Sequence, residues 1–274
     1  MSPGKTVSIA GFPILEATQQ DLATYLLSTL RRHKKTSLLF ANSNFIVKCK
    51  PLLNRMRNEG VTIVNDGVGL DIAARLLRGR GFTANLNGTD FTPYLFRKSA
   101  RPLRVFLLGG RPNVVDQAAN YVSHELGQAV VGYCDGYSGI NNTAELIERI
   151  NRSQAEVLLV ALGNPLQEQW ILDHRDTLDV DIVAGVGALF DFWSGNKSRA
   201  PLFVQKIRME WFYRLLLEPR RLLRRYTVDM LTFFAYCFQY RDLSAGSRSI
   251  GKPSELLRRT KTIITHPQIK KGQA

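Results

Sequence analysis

The sequence predicts an α/β fold: a mostly parallel, Rossmann-like sheet with helices on both faces, followed by a basic helical appendage at the carboxyl end. Three observations carry this. Short runs of consecutive apolar residues alternate with longer stretches of helical period, as in strands buried on both faces. The apolar runs end on Gly, Asn or Asp, as strand-to-helix turns do. After Pro201 the alternation stops, and arginines appear among aromatics and leucines.

The elements follow in order. Residues 7–15 carry Gly11 and Pro13 and lack a cleavage site, so no secretory signal is expected. Residues 18–33 place Leu22, Leu26 and Leu30 on one helical face. A strand is expected at 37–42 (SLLFAN), a helix at 44–58, a strand at 61–66 (VTIVND) and a helix at 69–79, closed near Gly79 and Gly81. A second helix is expected just after Asn87-Gly88-Thr89-Asp90. The strand at 103–109 (LRVFLLG) precedes a helix at 112–126, with Pro112 suited to its first turn. A strand near 129–133, a helix at 142–153, a strand at 156–162, a helix at 165–175 and a last strand at 181–186 complete the core. Two arginine- and aromatic-rich helices are expected at 201–217 and 219–240.

This divides the chain into an α/β core at 1–200, an amphipathic appendage at 201–242 and a loose polar tail at 243–274. All the alternating strands precede Pro201, so the core is expected to fold without the appendage. The length suffices for a core that needs no disulfide or metal. Neither the three cysteines nor the four histidines show metal-ligand spacing, and no cofactor is expected. No apolar run reaches the roughly 18 residues of a membrane span. The charge is uneven: from Arg199 onward 16 Lys and Arg face 5 Asp and Glu, whereas the first 198 residues hold 21 and 18. That end is suited to an anionic partner. Membrane surface, a solvated core-packing helix and nucleic acid are the alternatives, taken in that order of weight.

In parallel sheets ligands bind beyond the carboxyl ends of the strands. The tips should bring Asn42, Asn44, Asp66, Gly109, Gly163, Gly185, Gly187 and Asp191 to one crevice. Asp66 there is either a proton acceptor or a turn residue. Asn87, Gly88 and Asp90 either cap a helix or meet a diphosphate at its start. Gln167 and Glu168 lie in the first turn of a helix, where Glu168 complements the dipole or both meet a ligand. The dinucleotide GxGxxG, the phosphate loop GxxxxGK[ST] and the GxSxG elbow are absent. Asp179-Val180-Asp181 imitates a metal–nucleotide DxD but precedes a strand, at the wrong end of the sheet.

In order, VNDGVGLDIAARLL, NGTDF, VFLLGG, LLVALGNPLQEQWI, GVGALFDFWSGNKSRAP and EWFYRLLLEPRRLLRRY resemble the WecG/TagA/CpsF glycosyltransferase family up to about residue 240. The resemblance implies inverting transfer from a UDP-sugar to a sugar on a polyprenyl diphosphate, without a bound metal. It implies Asp66 as base, Asn42, Asn44 and Gln167 as pocket residues, and Arg214, Arg221 and Arg224 as appendage cations at the membrane and the diphosphate. It also implies a peripheral enzyme at the cytoplasmic face of the inner membrane that uses an anionic lipid surface and no nucleic acid; self-association is left open. Asn85 stands where amino-sugar-transferring members carry Arg. On that ground UDP-glucose is the expected donor in exopolysaccharide or cell-surface polysaccharide assembly, with UDP-N-acetylmannosamine or its uronic acid as the alternative; a nucleotide-cofactor oxidoreductase and a nucleic-acid-binding module are the alternatives of a different class.

Overall fold

A computed structural model describes residues 4–197, 199–201, 203–204 and 209–240. The tail expected at 243–274 lies outside the described residues. The strands are β1 (Lys5–Ile9), β2 (Phe12–Glu16), β3 (Thr36–Ala41), β4 (Thr62–Asn65), β5 (Arg104–Gly109), β6 (Ala129–Cys134), β7 (Val157–Ala161) and β8 (Ile182–Gly185). They form one sheet in the order β1-β2-β4-β3-β8-β7-β5-β6. Every pairing is parallel except that of β1 with β2. In β3, β4, β7 and β8 every residue is buried, which explains why these strands read as unbroken apolar runs.

The helices of the α/β layers are α1 (Gln19–Leu30), α2 (Ser43–Lys48), α3 (Leu53–Asn58), α4 (Val68–Arg78), α5 (Gly88–Lys98), α6 (Pro112–His124), α7 (Thr143–Arg152), α8 (Leu166–His174) and α9 (Leu189–Trp193). Three more follow: α10 (Glu210–Leu217), α11 (Pro219–Tyr226) and α12 (Val228–Gln239). The helix expected at 44–58 is two short helices joined by a 3-10 turn, with Pro51 in its first positions. The last expected helix is likewise two, broken at Thr227 (φ −113°, ψ −84°).

Two apolar cores lie on opposite faces of the sheet. One gathers Leu39, Ile63, Leu108 and Val160 with α2, α4, α7 and α8. The other gathers Leu38, Val64, Leu107 and Leu159 with α1, α5, α6 and α9. The chain after β3 thus enters a helix on one face, and after β8 a helix on the other. β3 and β8 are neighbours, so their carboxyl ends border the switch-point crevice where ligands bind in open α/β sheets.

Two features depart from the expected organisation. Residues 5–16 form a hairpin whose turn, Ala10 and Gly11, has positive φ at both positions (51° and 88°), as tight hairpins require. α12 also belongs to the core rather than to a detachable appendage. Phe233 is 0% exposed and packs with Phe45 and Ile46 of α2 in the same cluster, and Cys237 is buried beside it. The end of α12 is tied to the hairpin, because Lys50 donates to Ala10 O at 2.7 Å and lies 3.4 Å from the Tyr240 ring centre. The first 200 residues therefore lack part of their own core.

Candidate active site

The tips of β3 and β4 meet through their backbones: Asp66 N donates to Ala41 O at 2.7 Å. Asp66 is half-buried, and Gly67 follows it with φ +91°. A side chain on Gly67 would meet nothing within 4 Å, so the space over the turn is open. Gly67 N donates to Asn85 Oδ1 at 2.7 Å, which fixes the turn from the far side. Asn42 caps α2, its Oδ1 accepting from Phe45 N at 3.1 Å. The same oxygen accepts from Arg225 Nη2 at 3.2 Å, and Asn42 Nδ2 donates to Asp66 Oδ2 at 3.4 Å. Asn42 therefore joins an appendage guanidinium to the β4 carboxylate. A carboxylate held this way, beside open space at a sheet's ligand end, can take a proton from an arriving hydroxyl.

The tips of β7 and β8 are built differently. Gln167 is 3% exposed and Glu168 0%, although both sit in the first turn of α8. Glu168 Oε1 accepts from Asn164 Nδ2 at 2.6 Å and from Gln167 Nε2 at 2.7 Å, and its Oε2 accepts from Cys49 Sγ at 3.4 Å. Burial raises the Glu168 carboxyl above the usual carboxylate range, and the amide donors only partly offset it. Burial, with Glu168 nearby, also keeps the Cys49 thiol protonated far above its ordinary range. Gln167 Oε1 accepts from Gly187 N at 3.0 Å, and Asn44 Nδ2 donates to Asn164 Oδ1 at 3.3 Å. Of the alternatives for Gln167 and Glu168, the structural one agrees with their burial and their bonds within the protein.

The remaining expected residues divide in the same way. Asn87 caps α5 and holds Asp90, with Asn87 Nδ2 donating to Asp90 Oδ2 at 2.8 Å. Asp90 also pairs with Arg199 Nη1 at 2.6 Å. Burial would raise its carboxyl, but Arg199 and Asn87 more than offset that and hold it below the usual range. A side chain at Gly88 would press on the Phe40 ring. At Gly109 (φ +121°) a Cβ would lie 2.4 Å from Ala161 O, and at Gly185 2.9 Å from Leu39 Cδ2. Those two glycines serve close packing. Gly163 and Gly187, with φ +77° and +57°, have open space before them, as Gly67 does. Asp191 pairs with Lys197 Nζ at 3.8 Å, and Lys197 reaches Glu218 beside α11 at 3.7 Å.

Asp181 immediately precedes β8 and pairs with His33 at 3.4 Å, so the Asp179–Asp181 pair lies at the sheet end opposite the crevice. Arg214 lies in α10 and Arg221 in α11, with side chains outside the described residues; Arg224 is exposed. Arg225, which donates to Asn42 at the β3 tip, is not among the site residues expected from the sequence. Its signal was helical phase: Leu222 of α11 is buried, and a residue three positions on shares its face. The outer faces of α10–α12 leave Leu216, Leu217, Leu223, Leu231 and Phe238 exposed. Among the described residues no helix is long and apolar enough to cross a membrane.

Residues 7–245 match the glycosyl transferase WecG/TagA/CpsF family. One relative is the N-acetylglucosaminyldiphosphoundecaprenol N-acetyl-beta-D-mannosaminyltransferase of Bacillus spizizenii, 32% identical over 216 residues, spanning 74% of this chain and 83% of the relative. The protein of the same name from Bacillus subtilis is 33% identical over 161 residues, spanning 58% of this chain and 62% of the relative.

Proposed function

The chain belongs to the WecG/TagA/CpsF family of glycosyltransferases, and from that premise we propose that it transfers an N-acetylmannosamine-type sugar from a UDP donor to an N-acetylglucosaminyl-diphosphoundecaprenol acceptor. The names of the two relatives favour this donor and acceptor over UDP-glucose. The residue that pointed to glucose, Asn85, has another occupation, because its carbonyl holds the Gly67 turn.

The observation that carries the reading is Asp66: a half-buried carboxylate at the carboxyl end of β4, beside the β3–β8 crevice and tied to Asn42. In the proposed step the acceptor hydroxyl attacks the anomeric carbon as the bond to UDP breaks on the opposite face. The hydroxyl proton passes to an Asp66 carboxylate oxygen. The anomeric configuration inverts, and the electron pair of the broken bond leaves on the UDP diphosphate. Arg225 stands one side chain removed from Asp66, through Asn42. It supports the reading as a preorganised positive charge beside the developing diphosphate.

The apolar outer faces of α10–α12 and the exposed Arg224 support peripheral seating on an anionic leaflet, at about 1 kcal/mol per basic residue near the surface. Such seating brings the crevice to a lipid-linked acceptor. The test is a donor panel. N-acetylglucosaminyl-diphosphoundecaprenol is offered with UDP-N-acetylmannosamine, its uronic acid and UDP-glucose, and products are weighed by mass spectrometry. Addition of an N-acetylhexosamine is expected. Addition of glucose alone would overturn the donor, and no addition from any of the three would overturn the substrate class.

A further inference from the structure

Glu168 has no part in the proposed step. It is fully enclosed at the end of the sheet where substrate would lie. Both its oxygens are spoken for by donors from the protein: Asn164, Gln167 and Cys49. The two amides are the informative partners. A side-chain amide has a donor end and an acceptor end, and fixing one fixes the other. With both NH2 groups turned toward Glu168, the carbonyls of Gln167 and Asn164 must point outward. Gln167 Oε1 then receives Gly187 N beyond β8, and Asn164 Oδ1 receives Asn44 Nδ2 at the start of α2, after β3. Asn164 itself follows β7. β3, β8 and β7 are consecutive in the sheet.

We propose that Glu168 is a positioning residue: a hub whose acceptor oxygen sets the orientation of two buried amides and through them locks three neighbouring strand tips around the crevice. The inference rests on reading that crevice as the transfer site. It changes the role of Gln167, which acts on the reaction by holding Gly187 rather than by touching sugar. Burial raises the carboxyl, and the hub works in either protonation state because one acceptor oxygen serves both amides.

Two substitutions separate a hub from a carboxylate that works as a charge or a proton carrier. Glu168→Met keeps the volume and removes both acceptors. Glu168→Gln keeps an acceptor oxygen for Gln167 and Asn164 and removes the charge. The expected result is a transfer rate lowered roughly ten- to a hundredfold in the Met variant, the scale on which small misplacements act. The Gln variant should recover to within about threefold of wild type, because its oxygen still receives both amides. Hydrogen exchange at the Gly187 amide should be slow in the wild type and the Gln variant and fast in the Met variant. A Gln variant as inactive as the Met variant would overturn the proposal, as would a Met variant at the wild-type rate. Thermal melting shows whether the Met variant folds; if it does not, the Gln variant decides alone. Were the transfer reaction itself misassigned, wild type would yield no product, while Gly187 exchange across the three proteins would still read the hub.

Discussion

Asp66 and Glu168 are both carboxylates at strand tips of one sheet, and the fold gives them opposite surroundings. Asp66 stands beside open space over Gly67, with Asn42 and, one side chain further, Arg225. Glu168 is enclosed and faces amide and thiol donors. The first borders open space and is half-buried, and the second is fully buried. A carboxylate's place in a motif does not assign its chemistry; its access and the kind of its neighbours do. α12 repeats the lesson within one helix, since Phe233 completes the core while Leu231 is 73% exposed.

The sharpest break in the first comparison comes from Asp66→Asn. Transfer should fall by about 10²–10⁴, the range for losing a general base, while UDP affinity by calorimetry stays within a few-fold. A variant turning over at the wild-type rate would remove Asp66 from the mechanism.

The two faces of α12 come next. Phe233→Ala should destabilise the protein by about 3–5 kcal/mol in urea unfolding, as for a large aromatic removed from a core. Leu231→Ala on the outer face should stay within about 0.5 kcal/mol. Cutting the chain before Pro201 removes Phe233 and Cys237 from their cluster. The remainder should lose its cooperative transition, contrary to what the strand pattern alone suggests.

Smaller effects separate the appendage arginines. Arg225→Ala should slow transfer roughly ten- to a hundredfold, in keeping with a charged hydrogen bond of about 1.5–3 kcal/mol, and extra anionic lipid should not restore it. Arg224→Ala should weaken vesicle binding and recover as anionic lipid is increased. The reverse assignment would show that the contact with Asn42 is incidental.

The pH dependence of stability sharpens the carboxylate comparison further. Glu168 has its pKa raised in the folded state by burial, so its contribution is complete below the unfolded carboxylate range. It is lost as pH rises through the folded value. Glu168→Gln should therefore melt closer to wild type in acid and gain on it toward neutral pH; a constant difference across that window would contradict this. No effect is expected from excess EDTA on transfer, because the Asp179–Asp181 pair sits at the opposite sheet end. Activity lost to EDTA and restored by Mg²⁺ would reverse that expectation.

Much of this was legible in the sequence. The central strands are buried on both faces, so unbroken apolar runs such as SLLFAN and VLLVAL mark them directly. Asp66 could be placed because strand, Asp and Gly-rich turn follow one another locally. The hairpin was not legible: Pro13 argues against a strand, and Ala10 is a rare occupant of positive φ. Strand order was invisible for the same reason as the Glu168 hub, since both depend on pairings between residues far apart in sequence. GNPLQEQW shows that two amides and a carboxylate are close, but not which way they turn. That is decided by Gly187, Asn44 and Cys49, each from a different part of the chain. Arg225 was overlooked because adjacent arginines look alike until the buried face of α11 is known.

The most direct test places the two carboxylates side by side. Asp66→Asn and Glu168→Gln make the same chemical change, and both variants are assayed for transfer and for UDP binding in one experiment. The expected result is an Asp66 variant that binds UDP but scarcely turns over, beside a Glu168 variant that retains most of its activity. A Glu168 variant that loses transfer while the Asp66 variant keeps it would reverse the two roles.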